Sequence, residues 1–537
     1  MTEGESCMHW QRDIDGDRRP MGDEPIMGMG RHVPMTRMKS SAAKHMSLLV
    51  LALALSLSCL GSSALAANET DPSSAALPPA SGTMSEEEEL AELSSVFMPI
   101  VKEGSDVVMG RKAKVGQACT AEYPPSSFPA TEDGLVEMVE NYTRCFSDKL
   151  GFPIATGYRG PLAEEEAIFT THKPASNWTG ISEGQLVPSG SVMKSFLGVA
   201  AFNVLNSTEG AVTWDTPMYP FVNRVLSRDF NTSLDELFDD KRIKDVTIQQ
   251  LLSMESGLKD YSEDMAPEFI GYGPGNTQEA SFTPIEYIDN MIQTWGNKLS
   301  CDPGTCYYYS SNGFAFAGMM LVDILGLDSW KDLDILELAF QSNPGLKSEF
   351  NNTVASTPNK LCSEYGQLPD GSNRVVNQWS ENGTNLYDYD CLDGWAFGNL
   401  MIDAPDTASW FWHLYGLRDI LGTEDVDLML TPTNTSSTYG LASEINSMQW
   451  QGNLNNRYSW AGHMGTDWGS SNNGAGLFMP NAKDNGKERA FALSLTQNDL
   501  SIHGEDDFAQ TTSLTRASTV YLANAIIQLL EKNFEDS

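Results

Sequence analysis

Residues 190–205 read GSVMKSFLGVAAFNVL, and apolar side chains recur through this stretch at helical spacing. The pattern predicts an amphipathic helix over residues 191–205. Ser191 and Lys194 are three residues apart near its start, so both side chains project from the same face of the helix. A serine and a lysine are therefore expected next to each other at the beginning of a long apolar helix.

This pair predicts nucleophilic chemistry. A serine hydroxyl is a weak nucleophile unless a nearby base accepts its proton, and a buried lysine with a lowered pKa is able to do so. Ser41 to Lys44 and Ser256 to Lys259 show the same spacing. Context favours Ser191, since Ser41 lies in an N-terminal leader and Ser256 is followed directly by a glycine.

The surrounding pattern indicates the fold class. A helix is predicted over residues 131–149, then short strands over 152–158 and 167–171. The middle of the chain, about 209–456, is mostly helical patches. The C-terminal part predicts three strands and a final helix, over residues 458–465, 474–479, 489–495 and 519–534. This order predicts an α+β fold in which both ends of the chain form one antiparallel sheet flanked by helices, with an inserted helical lobe.

Four segments, in this order, resemble the serine β-lactamase and penicillin-binding-protein superfamily. The first, residues 190–196, is similar to the Gly-Ser-Val-x-Lys-x-Phe of the class C-like branch of esterases and D-Ala-D-Ala peptidases. Residues 246–258 (VTIQQLLSMESGL), 303–311 (PGTCYYYSS) and 462–465 (GHMG) resemble that branch's later motifs. The resemblance covers roughly residues 130–530.

The resemblance implies roles for individual residues. Ser191 would form an acyl-enzyme, and Lys194 with Tyr309 would move its proton to the leaving group. The residues implied in binding the substrate or its oxyanion are Ser311, His463, Gly465 and Thr466, with backbone N–H groups of Ser191 and Thr466 forming the oxyanion hole. No metal or cofactor is implied, and no cysteine or histidine spacing predicts a metal site. Taken singly, Tyr309 is better explained by core packing and His463 by a structural role.

Two positions depart from the family pattern. Ser311 stands where penicillin-active relatives usually have asparagine, and His463 stands where many have lysine. The loss of that lysine removes a positive charge that could hold a substrate carboxylate. We therefore expect hydrolysis of a small-molecule or peptide-like ester or amide other than a β-lactam, with a catalytically inactive binding or scaffold protein on the same fold as the alternative.

The N-terminal region predicts export. Residues 48–60 are uncharged and apolar, basic residues precede them, and Ala64-Leu65-Ala66 follows as a small-x-small cleavage site. We predict a leader over residues 1–66 with a signal peptide at about 46–66, an acidic flexible lead-in over 67–115, and the hydrolase domain over 116–537. The protein is then secreted or lumenal. A retained type II membrane anchor is the alternative, and Met35 or Met38 could be the true start.

Cysteines and glycosylation motifs agree with an exported protein. Removal of the leader leaves six cysteines, and we prefer sequence-local pairs over the other connectivities that six cysteines allow, with some free thiols as the alternative. The preferred pairs are Cys119 with Cys145, Cys301 with Cys306, and Cys362 with Cys391. The Asn-x-Ser/Thr sites are Asn68, Asn141, Asn177, Asn206, Asn231, Asn351, Asn382 and Asn434.

Charge argues against one class of partner. The 537-residue chain carries 72 acidic and 34 basic residues, for a formal net charge of −38. Such a negative field repels phosphate backbones and anionic lipid surfaces. We expect no nucleic-acid partner, and no membrane association beyond the alternative N-terminal anchor.

Overall fold

The computed structural model describes most of the chain from residue 105 onward. The described residues are 105–174, 180–261, 283–355, 360–377, 387, 394–446, 458–467, 471–481, 489–498 and 508–536. The strands are β1 Ile154–Gly160, β2 Ala163–His172, β3 Val187–Pro188, β4 Thr353–Ala355, β5 Leu400–Ile402, β6 Glu444–Ile445, β7 Tyr458–Asp467, β8 Ser471–Pro480 and β9 Phe491–Gln497.

Helices account for most of the remaining regular structure. The α-helices are α1 Ser105–Glu122, α2 Glu132–Leu150, α3 Met193–Ser207, α4 Tyr219–Asp229, α5 Leu234–Leu237, α6 Ile248–Leu252, α7 Pro284–Trp295, α8 Ser311–Ile324, α9 Ile335–Ala339, α10 Ala404–Phe411, α11 Thr423–Met429 and α12 Phe508–Asp536. A π-helix, Trp412–Leu417, continues α10.

Strands from both ends of the chain lie side by side in one sheet. The order across the sheet is β2-β1-β9-β8-β7-β6, and every neighbouring pair is antiparallel. Strand β1 pairs with β9 so that Ile154 lies opposite Gln497. The predicted joining of the two ends in one antiparallel sheet is confirmed, and β7 and β8 extend beyond their predicted bounds.

Local signals explain why α2 begins and ends where it does. Thr131 caps its start, since its hydroxyl accepts a hydrogen bond from the Gly134 N–H at 3.3 Å. Glu132 and Asp133 in the first turn complement the helix dipole. Gly151 ends the helix with a φ of +87°, a conformation that glycine adopts without strain. The predicted helix over 131–149 is thus found within one residue at each end.

Two hydrophobic cores meet near the predicted nucleophile. One lies between the large sheet and the helices α1, α2 and α12. The other surrounds α3 and α8 in the helical lobe. Residues 193–205 of α3 are all buried, as expected for a helix that packs on every side. The start of α3 therefore packs between the lobe and strand β7.

Three features differ from the sequence predictions. A small sheet with the order β3-β5-β4 was not predicted, because strands of two or three residues are too short to show an alternating pattern. The helix expected from Ser191 begins at Met193, and a 3-10 turn, Gly190–Val192, precedes it. The last helix begins at Phe508 rather than at residue 519. The domain boundary proposed between residues 115 and 116 stays a prediction, and helix α1 spans these residues.

The described cysteines are all disulfide-bonded. Cys119 is joined to Cys145 and Cys301 to Cys306, which are two of the three preferred pairs. Cys362 is also in a disulfide. Its proposed partner Cys391 lies outside the described residues, as do Ser41, Lys44, the predicted signal peptide, Asn68, Asn177 and Asn382.

The remaining glycosylation motifs lie at the surface. Asn141 is half-buried, and the other described sites are exposed, namely Asn206, Asn231, Asn351 and Asn434. In the part of the chain that the structure describes, none of the helices has the length and apolar character needed to cross a membrane.

Candidate functional site

Ser191 lies in the 3-10 turn just before α3, and its side chain is half-buried. Two glycines bring strand β7 against this turn. A Cβ atom on Gly190, whose φ is +51°, would lie 2.3 Å from the Thr466 carbonyl oxygen, and one on Gly465 would lie 1.8 Å from the Ser189 carbonyl oxygen. Any larger residue at either place would force the strand away from the serine.

Lys194 lies one helical turn further on and is 0% exposed. Its Nζ atom is 2.8 Å from Ser191 Oγ, 3.2 Å from Ser311 Oγ and 3.4 Å from the Phe397 carbonyl oxygen. Burial disfavours the charged form and lowers the pKa of Lys194 from 10.5 to about 7. A substantial fraction of this lysine is therefore uncharged near neutral pH and able to accept a proton.

Tyr309 approaches the serine from the loop before α8. Its Oη donates a hydrogen bond to Ser191 Oγ at 2.8 Å. The loop is anchored by the hydrogen bond from the Tyr308 N–H to the Met254 carbonyl oxygen at 2.9 Å. Desolvation by the surrounding protein raises the pKa of Tyr309 well above its usual value. The phenol therefore stays protonated at neutral pH and serves as a hydrogen-bond donor to the serine.

Ser311 begins helix α8 and is 3% exposed. Its N–H donates to Asp260 Oδ1 at 2.9 Å, and its hydroxyl lies 3.3 Å from Asp260 Oδ2. Burial raises the pKa of the half-buried Asp260 to about 6, and the Lys194 charge opposes that rise. The carboxylate is thus joined to the lysine through one serine hydroxyl.

His463 lies on β7 on the other side of the serine and is 0% exposed. Its Nδ1 is 2.6 Å from the Met464 carbonyl oxygen, which can only accept, so Nδ1 carries the hydrogen. Its Nε2 is 3.0 Å from Tyr439 Oη. Burial lowers the pKa of His463 to about 4, so at neutral pH the ring is uncharged and Nε2 accepts from the tyrosine.

A carboxylate supports this side of the site as well. Glu444 on β6 accepts a hydrogen bond from the Met464 N–H at 3.1 Å and one from Arg516 Nη2 at 3.2 Å. Its Oε1 is 3.6 Å from His463 Nδ1. The histidine is thus held by a tyrosine, a carbonyl and a nearby carboxylate whose charge is balanced by an arginine.

The structure brings the sequence-predicted site residues together around Ser191. The Tyr309 and His463 rings are 6.5 Å apart between centroids, and Gly465 and Thr466 pass beside the nucleophile turn. Sequence reasoning missed several supporting groups, namely Asp260, Phe397, Tyr439, Glu444 and Arg516. None of them lies in a recognisable pattern except Asp260, which comes directly after the second Ser-x-x-Lys match.

A sequence model of the Beta-lactamase family matches residues 166–486, which is more than half of the chain. The chain belongs to the Beta-lactamase family. The match contains Ser191, Lys194, Tyr309, Ser311 and His463, and it confirms the resemblance inferred from the motifs.

Several solved structures are similar to this Beta-lactamase family member. The D-amino acid amidase of Ochrobactrum anthropi SV3, complexed with L-phenylalanine, is 16% identical, with a TM-score of 0.51 over 73% of this chain and 98% of the amidase. A D-stereospecific amidohydrolase from Streptomyces sp. is 17% identical (TM-score 0.48, 67% and 95% covered). An octameric penicillin-binding protein homologue from Pyrococcus abyssi is 16% identical (TM-score 0.47, 73% and 76% covered). The similarity to the amidase confirms the predicted fold class.

Proposed function

We propose that this chain is a serine hydrolase that cleaves an amide or ester bond through an acyl-enzyme on Ser191. One observation carries the proposal. Ser191 Oγ lies 2.8 Å from both Lys194 Nζ and Tyr309 Oη, within reach of proton transfer on two sides. Membership of the Beta-lactamase family supports the same reading.

The first step forms the acyl-enzyme. Uncharged Lys194 accepts the Ser191 proton as Oγ attacks the substrate carbonyl carbon, and a tetrahedral oxyanion results. Backbone N–H groups of Ser191 and Thr466 stabilise that oxyanion, since the two glycines place these backbones side by side. The lysine pKa of about 7 makes Lys194 the base, whereas the raised pKa of Tyr309 makes it the poorer candidate.

The later steps of the reaction deliver the proton to the leaving group and release the carboxylic acid product. Tyr309 passes its proton to the leaving amine or alcohol and is reprotonated from Lys194 as the carbonyl bond reforms. Water then attacks the ester on Ser191 with the same groups in reversed roles. The product is a carboxylic acid, and the free serine is restored.

The uncharged histidine points to the substrate class. His463 occupies the place where many relatives have lysine, and with a pKa of about 4 it carries no charge at neutral pH. It therefore offers no ion pair to a substrate carboxylate. We infer that the substrate lacks a carboxylate next to the scissile bond, as amino-acid amides and simple esters do. The name of the amidase with this fold makes D-amino-acid amides the first class to test.

The experiment is covalent labelling with a fluorophosphonate probe. We expect the wild-type protein to label and Ser191→Ala to lose labelling, because the probe bonds to the activated oxygen. Ser256→Ala, in the other described Ser-x-x-Lys match, is the control and should label normally. A wild-type protein that folds but does not label would refute the proposal and favour an inactive scaffold. Turnover of D- and L-phenylalanine amide, short esters and a β-lactam then identifies the substrate class.

We also propose that the protein acts outside the cytosol, either secreted or in the lumen of the secretory pathway. The disulfides Cys119–Cys145 and Cys301–Cys306 support this location, since such bonds persist in oxidising compartments. The surface positions of Asn206, Asn231 and Asn351 are compatible with glycosylation along that route.

A further inference from the structure

Asp260 is a titratable group next to the reacting residues that the proposed mechanism does not use. It lies in the segment that follows α6, shortly after Gly257. Its Oδ2 is 3.3 Å from Ser311 Oγ, which is in turn 3.2 Å from Lys194 Nζ. Lys194 Nζ is 2.8 Å from Ser191 Oγ. The polar atoms form a continuous relay from the nucleophile to the carboxylate.

The relay has a defined polarity. A carboxylate only accepts hydrogen bonds, so the Ser311 hydroxyl donates to Asp260. The oxygen of that hydroxyl is then left to accept from Lys194 Nζ. Asp260 therefore orients the Ser311 hydroxyl so that its oxygen accepts a hydrogen bond from one N–H of Lys194. The lone pair and the other hydrogens of the lysine amine are then left to face Ser191.

The charge of Asp260 also acts on the lysine. Burial lowers the pKa of Lys194, and the negative charge of Asp260 opposes that effect more strongly than the charge of Glu444 does. Tyr309 and His463 face the same space, and both are uncharged near neutral pH because their pKa values are shifted away from it. Asp260 is thus the main negative charge that counters the effect of burial on the lysine.

We propose that Asp260 is a positioning residue that holds Lys194 through the Ser311 hydroxyl and sets the pH at which Ser191 becomes nucleophilic. The inference rests on the proposed function, because it assigns Asp260 to the control of the same lysine. With Asp260 ionised, the charged lysine is favoured, so the lysine becomes a base only at a higher pH than burial alone would require.

A purely structural role makes a different prediction. Asp260 Oδ1 accepts the Ser311 N–H at the start of α8, so the residue also anchors that helix. An asparagine keeps an oxygen for this contact but has no charge, and its amide nitrogen donates where the carboxylate accepted. Asp260→Asn therefore separates the two roles, since anchoring alone affects melting temperature and overall rate but not the pH midpoint.

The test is the pH dependence of fluorophosphonate labelling at Ser191 between pH 5 and 10, with an uncharged probe. We expect the acid-side midpoint of Asp260→Asn to move down by about one pH unit or more, because an opposite charge nearby contributes about that much to a pKa. Relative to its own plateau, the variant should then label faster than the wild type just below the wild-type midpoint, where Asp260 is still ionised, and the two rates should converge as the pH falls through about 6 and Asp260 protonates. Asp302→Asn removes the same charge from an exposed aspartate paired with Arg242, and its midpoint should not move.

Each outcome decides a different claim. A labelled wild type with an unshifted or raised midpoint in Asp260→Asn would overturn the inference alone. An unlabelled wild type would overturn the proposed function and the inference with it. If Asp260→Asn does not fold, Ser311→Ala takes its place, since loss of the bridging hydroxyl should move the midpoint in the same direction, and an unmoved midpoint there would refute the relay.

Discussion

The two sides of Ser191 are built on opposite electrostatic principles. On the helix side, Lys194 and Asp260 both titrate near neutral pH, and the Ser311 hydroxyl lies between them. On the strand side, His463 is fully buried, hydrogen-bonded at both ring nitrogens, and uncharged above about pH 4. The helix side can therefore accept and return a proton near neutral pH, whereas the strand side keeps one uncharged state.

This difference assigns proton transfer to the Lys194 side and substrate recognition to the His463 side. A base must exchange its proton at the working pH, so on the lysine side burial has to outweigh the neighbouring negative charges far enough to bring the lysine pKa close to neutral pH. A surface that only contacts the substrate, such as the His463 side, needs a side chain that keeps one protonation state at the working pH. The same family position that holds a charge in many relatives is here occupied by a ring that carries none.

The largest expected effect comes from removing the base. Lys194→Met should lower the labelling rate at Ser191 and any ester hydrolysis by about 10³-fold or more, because Tyr309, the other described side chain in hydrogen-bond contact with Ser191 Oγ, has a raised pKa and stays protonated. The variant should remain folded, since methionine suits a buried site better than a lysine does. Lys259→Met, in the second Ser-x-x-Lys match, is the control and should label at the wild-type rate. Equal losses in the two variants would contradict the assignment of the base.

Loss of the tyrosine hydroxyl should have an intermediate effect. Tyr309→Phe keeps the ring but removes the hydrogen bond to Ser191 Oγ, so we expect kcat for an amide substrate to fall by about 100-fold. An ester with a good leaving group needs less proton donation and should lose less. Tyr308→Phe changes the exposed neighbouring tyrosine as a control. If kcat falls by the same factor for the ester and for the amide, Tyr309 does not donate a proton to the leaving group.

The smallest effect on activity should come from the histidine. Because His463 is already uncharged, His463→Gln should leave the pH midpoint of labelling where it is. Stability should respond instead. The folded-state pKa of about 4 lies below the unfolded value of about 6.5, so stability that is present above pH 6.5 is lost as the pH falls toward 4, by roughly 3 kcal/mol.

Chemical unfolding at a series of pH values measures this loss. His463→Gln should reduce the acid-dependent decline in the free energy of unfolding, whereas Tyr439→Phe, which keeps the imidazole, should retain the decline. If the pH midpoint of labelling shifts in His463→Gln, a group on the strand side titrates in the working pH range. That result would contradict the proposed difference between the two sides of Ser191.

Much of the fold could be predicted from periodicity. The apolar spacing in residues 190–205 located α3 to within a few residues, and the strand patterns in the N- and C-terminal parts of the domain located every strand of the large sheet except the two-residue β6. The strands of the small sheet gave no such signal because two or three residues contain no full period. Helix α12 begins at Phe508, 11 residues earlier than predicted, before the apolar pattern that located its C-terminal part.

The sequence by itself determined which atoms do the chemistry we propose. Ser191 and Lys194 are neighbours through helical geometry alone, and the order of the motifs was sufficient to indicate Tyr309 and His463. Only the tertiary structure decided the protonation states. Asp260, Tyr439 and Glu444 are far from Ser191 along the chain, and a pKa depends on which groups and how much water surround a side chain in space. That dependence makes the lysine a base near neutral pH and keeps the histidine uncharged.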